Sequence, residues 1–459
     1  MSTARNNQVA VIILAAGQGK RMKSVLPKAL QPLARKPLLQ WVLETATDLA
    51  PASIHIVYGH GGAAVPEALP SQPNVNWVEQ AEQLGTAHAV QQALPGIPDD
   101  HTVLVLYGDV PLIRATTLQQ LLDAAANGLS VLTAEVQVAF GYGRVIRNRD
   151  NSIEKIVEHK DANEAELAIR EINTGFMACS AKQLRDWIDK IENKNVQGEF
   201  YLTDCIAMAV ADGITVTGIV CDDFEETHGI NDRIQLAHAE TLMRQRITKE
   251  LMQAGVSIID PERIDVRGEL QCGKDVVIDV NVIFEGKVKL GNGVKIGPFT
   301  VIVDSEIDNG SEIKSHCHIE NAVIGKQCQV GPFARIRPET YLDDEARIGN
   351  FVETKKSHVG KGSKINHLAY VGDAEVGKEA NIGAGTVTCN YDGVNKHKTV
   401  IGDNAFIGSN TALVAPVRIG KGATVGAGSV ISKDAADGEL VITRAKQVAV
   451  TDWKRPKKG

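Results

Sequence analysis

A glycine-rich stretch, Leu14-Ala15-Ala16-Gly17-Gln18-Gly19-Lys20-Arg21-Met22, follows directly on the apolar run Val9–Leu14. Backbone amides in such a loop are free to approach phosphate, and Lys20, Arg21 and Lys28 place positive charge nearby. The spacing is not that of a P-loop, because Leu14 stands where its first glycine is needed and Arg21 follows the lysine. Nor is it a dinucleotide fingerprint, since Met22 replaces the third glycine. A tight strand–helix turn explains the loop as well as phosphate binding does. Asp109 closes the run Val103-Leu104-Val105-Leu106-Tyr107-Gly108. A carboxylate at the end of an apolar strand can hold Mg²⁺ at a phosphate, or simply cap a turn. Gln80, Gly85-Thr86, Gly143, Glu158-His159-Lys160 and Asn173-Thr174-Gly175 mostly follow strand-like runs. Each is also an ordinary loop residue when taken alone.

A second set falls within residues 335–396: Arg335-Ile336-Arg337-Pro338, Glu353-Thr354-Lys355-Lys356, Asn366-His367-Leu368-Ala369-Tyr370, Asn381 and Cys389-Asn390-Tyr391. His367 is the obvious general base there, because imidazole changes protonation near neutral pH. A lone surface histidine is as a rule inert. Arg337, Lys355, Tyr370 and Asn381 set this one apart, since together they can grip a phosphorylated amino sugar. Cys389 offers a rival route in which its thiol carries the transferred group, although a cysteine inside a repeat is usually a small buried apolar residue.

The elements that must position these groups differ between the two halves. In the first ~230 residues, apolar runs at Val9–Leu14, Ile54–Tyr58, Val103–Tyr107 and Val131–Val136 alternate with amphipathic segments such as Pro37–Leu49 and Ala115–Ala126. That rhythm predicts a parallel or mixed sheet covered by helices, with ligands at the carboxyl ends of its strands. Asn231 to Gly255 carries aliphatics at helical spacing and predicts one linker helix. From about residue 270 the period becomes six. Ile278, Phe284, Leu290, Ile296 and Ile302 begin the series, and Ile401, Ile407, Leu413, Ile419, Val425 and Ile431 end it, often with glycine following. This is the signature of a hexapeptide parallel β-helix. The step from Thr388 to Ile401 is thirteen residues rather than twelve, which predicts a loop standing out from the coil.

Composition agrees with two architectures. Of the 42 glycines in 459 residues, 16 fall in residues 1–230 and 26 in residues 231–459, while aromatic residues make up only 4%. A Gly-rich, ring-poor half must build its core from stacked aliphatics. The net charge of -7 argues against broad nucleic-acid binding. No apolar run approaches the ~18–20 residues of a membrane helix, and the residues before Val9 lack a signal-peptide layout. Seven cysteines without CxxC spacing read as reduced thiols. The expectation is a cytoplasmic protein with no membrane insertion and no nucleic-acid partner.

Taken in order, Ala15–Met22, Leu26-Pro27-Lys28, Gln83–Thr86, Tyr107–Leu112, Gly141–Arg144, Glu158–Asp161 and Ile172–Gly175 resemble the sugar-phosphate nucleotidyltransferases. Glu82–Val90 and the attached hexapeptide region narrow this further. The whole chain resembles the bifunctional N-acetylglucosamine-1-phosphate uridylyltransferase/glucosamine-1-phosphate acetyltransferase family. The resemblance implies an α/β nucleotidyltransferase with a Rossmann-like mixed sheet in residues 1–231 and a linker helix in 232–254. It implies a left-handed parallel β-helix acetyltransferase with a C-terminal tail in 255–459.

It also implies roles for particular residues. Asp109 and Asn231 hold Mg²⁺, while Arg21 and Lys28 neutralise phosphate. Leu14, Ala15, Gly17, Lys28, Gln80, Gly85, Thr86, Tyr107, Gly143, Glu158, Asn173 and Asn231 surround UTP and the product nucleotide sugar. Arg337, Lys355, Tyr370, Asn381 and Lys396 bind glucosamine 1-phosphate, with His367 as base. Ala384, Asn390, Tyr391, Ser409, Ala427 and Arg444 contact acetyl-CoA, with the Ala384 amide directed at the thioester oxygen. A homotrimer with coenzyme sites between subunits is implied too. Lys20 departs from the family, which carries Thr or Ser there. The basic run Trp453–Lys458 reads as a solvated tail or as a contact to coenzyme phosphates. Two other readings stay open: a single-activity nucleotidyltransferase whose β-helix only oligomerises or regulates, and a nonenzymatic assembly subunit.

Overall fold

The apolar runs of the first half are continuous rather than alternating, as expected of strands covered on both faces. In the computed structural model, which describes residues 8–69 and 72–455, nine strands form one sheet. They are β1 (Val9–Leu14), β2 (Ser53–Tyr58), β3 (Val75–Glu79), β4 (Thr102–Tyr107), β5 (Leu129–Glu135), β6 (Arg144–Arg147), β7 (Ile153–Val157), β8 (Glu171–Ser180) and β9 (Val216–Val220). Their order is β9-β5-β8-β4-β1-β2-β3, with β6 and β7 attached beside β8. Strand β1 runs parallel to β2 and β4, and β8 runs antiparallel to β4 and β5, so the sheet is mixed. Val11 and Ile13 face one buried cluster, while Ala10 and Ile12 face another on the opposite side. The covering helices include α1 (Leu38–Asp48), α2 (Thr86–Ala93), α3 (Ala115–Ala125), α4 (Ala181–Ile188) and α5 (Asp204–Ala211).

Helix α6 (Arg233–Gln253) is unbroken. Asp232 Oδ1 caps it by accepting the N–H groups of Ile234 and Gln235 at 2.9 Å, and Gly255, at φ +97°, ends it. The chain divides into two compact units, Met1–Met243 and Arg244–Gly459, so the division falls inside this helix.

In the second unit the six-residue step is the step from one face of the coil to the next. A full turn brings Ile278 beside Ile296, and the ladder continues through Ile313, Val330, Ile348, Ile365, Ile382, Ile407 and Val425, all in parallel register. All are buried in one aliphatic core whose sole ring is Phe284. Glycine follows these aliphatics because the coils approach closely at the corner. A Cβ on Gly383 would lie 2.6 Å from both the Ile407 carbonyl oxygen and the Ser409 nitrogen. The loop between residues 389 and 398 is larger than the one-residue excess in the hexad spacing suggested. Val376 pairs with Ile401 across that coil, whereas Val359 pairs with Val376 in the coil before it. Asp392 folds the loop on itself, accepting from the Val394 and Asn395 amides at 2.8 and 2.6 Å and pairing with His397 Nε2 at 2.7 Å.

Candidate active sites

On one side of β1 the chain lays down β2 and β3, and on the other side β4. Loops leaving β1 and β4 therefore diverge, opening a crevice at their carboxyl ends. The glycine-rich loop leaves β1, and Gly108-Asp109 leaves β4. The two are tied at the crevice floor, where the Gly108 N–H donates to the Leu14 carbonyl at 2.9 Å. A cavity of about 480 Å³ results, lined by Leu14, Ala15, Gly17, Lys28, Gln80, Gly85, Thr86, Tyr107 and Asp109 among others. Gln80 is buried and donates to the Gly85 carbonyl at 3.2 Å. Gly85 has φ +122° and lies so near Phe200 that a Cβ would be 2.7 Å from its nitrogen, so a side chain is excluded there.

A second cavity of about 200 Å³ shares Thr86 and Tyr107 with the first and contains Gly143, Glu158 and Asn173. The Asn173 N–H donates to the Gly143 carbonyl at 2.9 Å. The Glu158 carboxylate accepts from the Thr203 hydroxyl at 3.0 Å. Burial pushes the Glu158 pKa up; the Thr203 bond opposes this, and Asp161 and Asp204 add to the rise. Tyr107 is pushed well above the ordinary phenol value by its burial, with Glu158 and Asp109 reinforcing the effect. It remains a neutral hydroxyl between the two cavities.

Asp109 and Asn231 come together through the backbone, because the Ile230 N–H donates to the Asp109 carbonyl at 2.9 Å. Their side-chain oxygens converge on one point, at which the Lys28 ammonium sits. Lys28 bonds Asp109 Oδ2 and, at 2.6 Å, Asn231 Oδ1. These two oxygens thus already hold a cation. One carboxylate and one amide carbonyl, leaving the remaining positions to water and phosphate oxygens, are a donor set that fits Mg²⁺. Among the described residues no cluster of three or more His, Cys, Asp or Glu forms a self-sufficient metal cage.

Arg21 is not brought to this crevice. Residues Lys20–Met22 form a 3₁₀ turn, in which successive side chains point roughly 120° apart. Met22 is buried, Arg21 faces solvent, and Lys20 lines the cavity beside Lys28. Of the two basic residues that follow Gly19, Lys20 is the one that lines this cavity together with Lys28. The crevice also draws on Gln83 and Tyr142, which the sequence offered only as members of longer motifs, and on Glu199 and Thr203, which sequence reasoning passed over. Glu199 and Thr203 lie in an irregular stretch with no periodic signal.

On the β-helix, His367, Ala384, Ser409 and Ala427 occupy the same place in successive coils. The residue after each donates its N–H to the equivalent residue one coil earlier: Gly385 to His367 at 3.4 Å, Asn410 to Ala384 at 2.7 Å and Gly428 to Ser409 at 2.7 Å. Arg444 lies one place beside this line in the next coil, with its side chain over Gly428. One coil before His367 stands Asn350, unnoticed in the sequence, whose Oδ1 lies 2.8 Å from His367 Nδ1. An Nδ1–H donating to that oxygen leaves Nε2 as the free lone pair, a tautomer assigned from the bond rather than seen.

Arg337 and Lys355 lie on adjacent coils, the Arg337 N–H donating to the Thr354 carbonyl at 2.9 Å. Arg337 also pairs with Glu353 at 2.7 Å. The Lys396 ammonium, and after it Arg337, hold Lys355 below the ordinary lysine value, while Asp373 draws it up. Three crowded cations are a ready receptor for a phosphate dianion. Asn390, expected among the coenzyme contacts, is buried beside Asp373 and Tyr370. Its amide donates to Asp373 at 2.5 Å and lies 3.4 Å from the Tyr370 hydroxyl. Tyr391 stands exposed on the loop, its hydroxyl donating to the Gly393 carbonyl at 2.5 Å. Asn381 is half-buried at the start of the coil that carries Ala384. Cys389 is a free, half-buried thiol, as the other six cysteines are free. In the tail Trp453, Lys454 and Arg455 are exposed, and residues 456–458 lie outside the described residues. Among the described residues no helix is long and apolar enough to cross a membrane.

A phosphate-receiving crevice at a strand switch point, joined to a β-helix bearing a base and a cation cluster, defines a nucleotidyltransferase fused to a hexapeptide transferase. Family models agree: a MobA-like NTP transferase domain matches residues 11–189, a bacterial transferase hexapeptide (six repeats) matches residues 398–433, and a GMPPB C-terminal domain matches residues 266–342. The chain is 51% identical over 448 residues to the bifunctional protein GlmU of Alkalilimnicola ehrlichii, covering 98% of this chain and 96% of that one. It is 52% identical to that of Chromobacterium violaceum and 54% identical to that of an Azoarcus species, in each case over 98% of this chain and 99% of the relative. The chain belongs to the bifunctional GlmU family. It is a transferase with two activities, one in each unit.

Proposed function

We propose that the β-helix unit acetylates the amine of glucosamine 1-phosphate with acetyl-CoA, and that the first unit then joins the product to the uridylyl group of UTP. The products of the second step are UDP-N-acetylglucosamine and pyrophosphate. The column His367–Ala384–Ser409–Ala427 is the observation that carries this reading. A β-helix serving only as a scaffold has no use for a base with an assigned tautomer beside crowded phosphate-binding cations. That column also favours two activities over a nucleotidyltransferase with a passive appendage.

In the acetyl step, Arg337, Lys355 and Lys396 grip the sugar phosphate. The amine attacks the thioester carbon while His367 Nε2 takes its proton, the carbon–sulfur bond breaks, and the coenzyme leaves as a thiol on recovering that proton from His367. The Ala384 N–H stabilises the oxyanion. In the uridylyl step no general base is needed, because a phosphate monoester, with a second pKa of ~6, is already largely dianionic at neutral pH. Its oxygen attacks the α-phosphorus, the bond to the β-phosphate oxygen breaks, and pyrophosphate departs. The protein contributes positioning and charge neutralisation. Gln80, Gly85 and Thr86 seat the base, Gly143, Glu158 and Asn173 the sugar, and Lys28 the phosphates. Mg²⁺, held by Asp109 and Asn231, would neutralise charge on the phosphate oxygens.

The subunit count proposed, three, is the one the family resemblance implies. Self-association itself is favoured by an exposed edge of stacked rings, Phe299, His316, Phe333 and Phe351, with centroids 5.0, 4.6 and 5.4 Å apart. The functional test is mass spectrometry after supplying glucosamine 1-phosphate, acetyl-CoA and UTP, omitting each in turn. Acetylated sugar phosphate is expected without UTP, and nucleotide sugar only when all three are present. Failure to acetylate without UTP contradicts the reading.

A further inference from the structure

The crevice contains two lysines, and their surroundings differ. The Lys28 ammonium is shared between Asp109 and Asn231, so an acidic partner already compensates its charge. Lys20 is exposed, lines the same cavity and makes no ion pair among the described residues. Its position is built rather than incidental. Buried Met22 anchors the 3₁₀ turn on one side. On the other, Gly19, at φ +60°, packs so closely on Lys28 that a Cβ there would lie 2.6 Å from the Lys28 Cβ. The turn is thereby held against Lys28, and Lys20 lines the cavity together with Gln18 and Lys28. Glu199, which also lines the cavity and makes no ion pair among the described residues, repels an anion.

We propose that Lys20 contacts substrate in the uridylyl step by capturing the β- and γ-phosphates of the nucleotide, the portion that departs as pyrophosphate. This rests on the nucleotidyltransferase reading of the crevice and adds a recognition residue to it. A polyanion entering the crevice meets an uncompensated charge at Lys20 before Lys28 exchanges its partners. A lysine on a flexible four-carbon stem suits this task, because it follows the phosphates as a point charge without demanding one geometry. The attraction acts largely through water, so it is screened by salt.

The test uses the full chain with Lys20→Gln, which keeps the stem and removes the charge, and Lys20→Arg, which keeps the charge. At low salt, Lys20→Gln is expected to raise the KM for UTP and the inhibition constant of pyrophosphate about fivefold each. Inhibition by UMP, which lacks the outer phosphates, and kcat should stay within about twofold. Lys20→Arg should restore both constants, and in Lys20→Gln the dependence of kcat/KM on salt should flatten. A KM for UTP and a pyrophosphate constant unchanged in Lys20→Gln overturn the proposal, as does an equal loss of UMP binding. If the wild-type chain performs no uridylyl transfer, that counts against the function reading instead. Calorimetric titration of the same variants with pyrophosphate then decides the Lys20 contact directly, with weaker binding by Lys20→Gln expected and equal binding contradicting it.

Discussion

Replacing Asn350 with alanine removes the acceptor that holds the His367 ring and leaves every residue gripping the sugar phosphate in place. The bond spans 2.8 Å between Asn350 Oδ1 and His367 Nδ1. As the base takes the proton of the attacking amine it becomes imidazolium, so this bond strengthens toward the transition state, which is the condition for raising kcat rather than lowering KM. Hydrogen bonds to charged groups contribute about 1.5–3 kcal/mol. His367 is exposed and Asn350 half-buried, so water replaces part of the loss and the lower end of that range applies. About 1.4 kcal/mol corresponds to roughly a tenfold fall in kcat for acetyl transfer. The assay is steady-state acetylation with thiol release followed spectroscopically. Asn350→Ala should lower kcat about tenfold with KM for the amino sugar within about twofold. Asn350→Asp should keep the tautomer and shift the acidic limb of the pH–rate profile upward, because a carboxylate favours the protonated ring. An unchanged kcat in Asn350→Ala, in a chain where His367→Ala abolishes acetylation, would refute the positioning argument.

Two further predictions follow from the same sites. Glu158→Gln should raise Tm near pH 7 while weakening binding of the acceptor sugar phosphate several-fold. Burial raises the Glu158 pKa in the fold above its unfolded value. Its ionisation therefore costs stability as pH rises through that window, and the gain from glutamine should shrink on acidification and vanish by about pH 3, where both states are protonated; scanning fluorimetry across pH checks the trend. Cys389→Ala should retain acetyl transfer and His367→Ala should lose it, measured by coenzyme release. The opposite pattern would assign the chemistry to the thiol.

Much of this molecule was readable before any coordinates, for reasons particular residues make plain. Strand β1 coincides with its apolar run because both its faces are buried, and the aliphatic ladder of the β-helix imprints its period on the chain. Such periodicity reports what points inward, and it is silent about the outer surface. Asn350 therefore went unnoticed although it stands one coil before His367. The 3₁₀ turn Lys20–Met22 sets the direction in which each of its side chains leaves the loop, and adjacent letters in a sequence do not reveal which of three directions each takes. The loop between residues 389 and 398 was underestimated because Thr388 and Ile401 sit only one residue more than two hexads apart. A bulge of that length hides within an otherwise regular count. Glu199 and Thr203 reach the crevice from an irregular segment, placed there by contacts distant in sequence.

Two separate sites on one chain, linked by a free intermediate, are tested most directly by complementation. Asp109→Ala and His367→Ala chains are each given glucosamine 1-phosphate, acetyl-CoA and UTP, alone and mixed, and UDP-N-acetylglucosamine is quantified. Neither variant alone should form it, Asp109→Ala should accumulate the acetylated sugar phosphate, and the mixture should yield the nucleotide sugar. Loss of acetylation in Asp109→Ala, or a mixture that stays inactive while each half-reaction proceeds, would contradict the account.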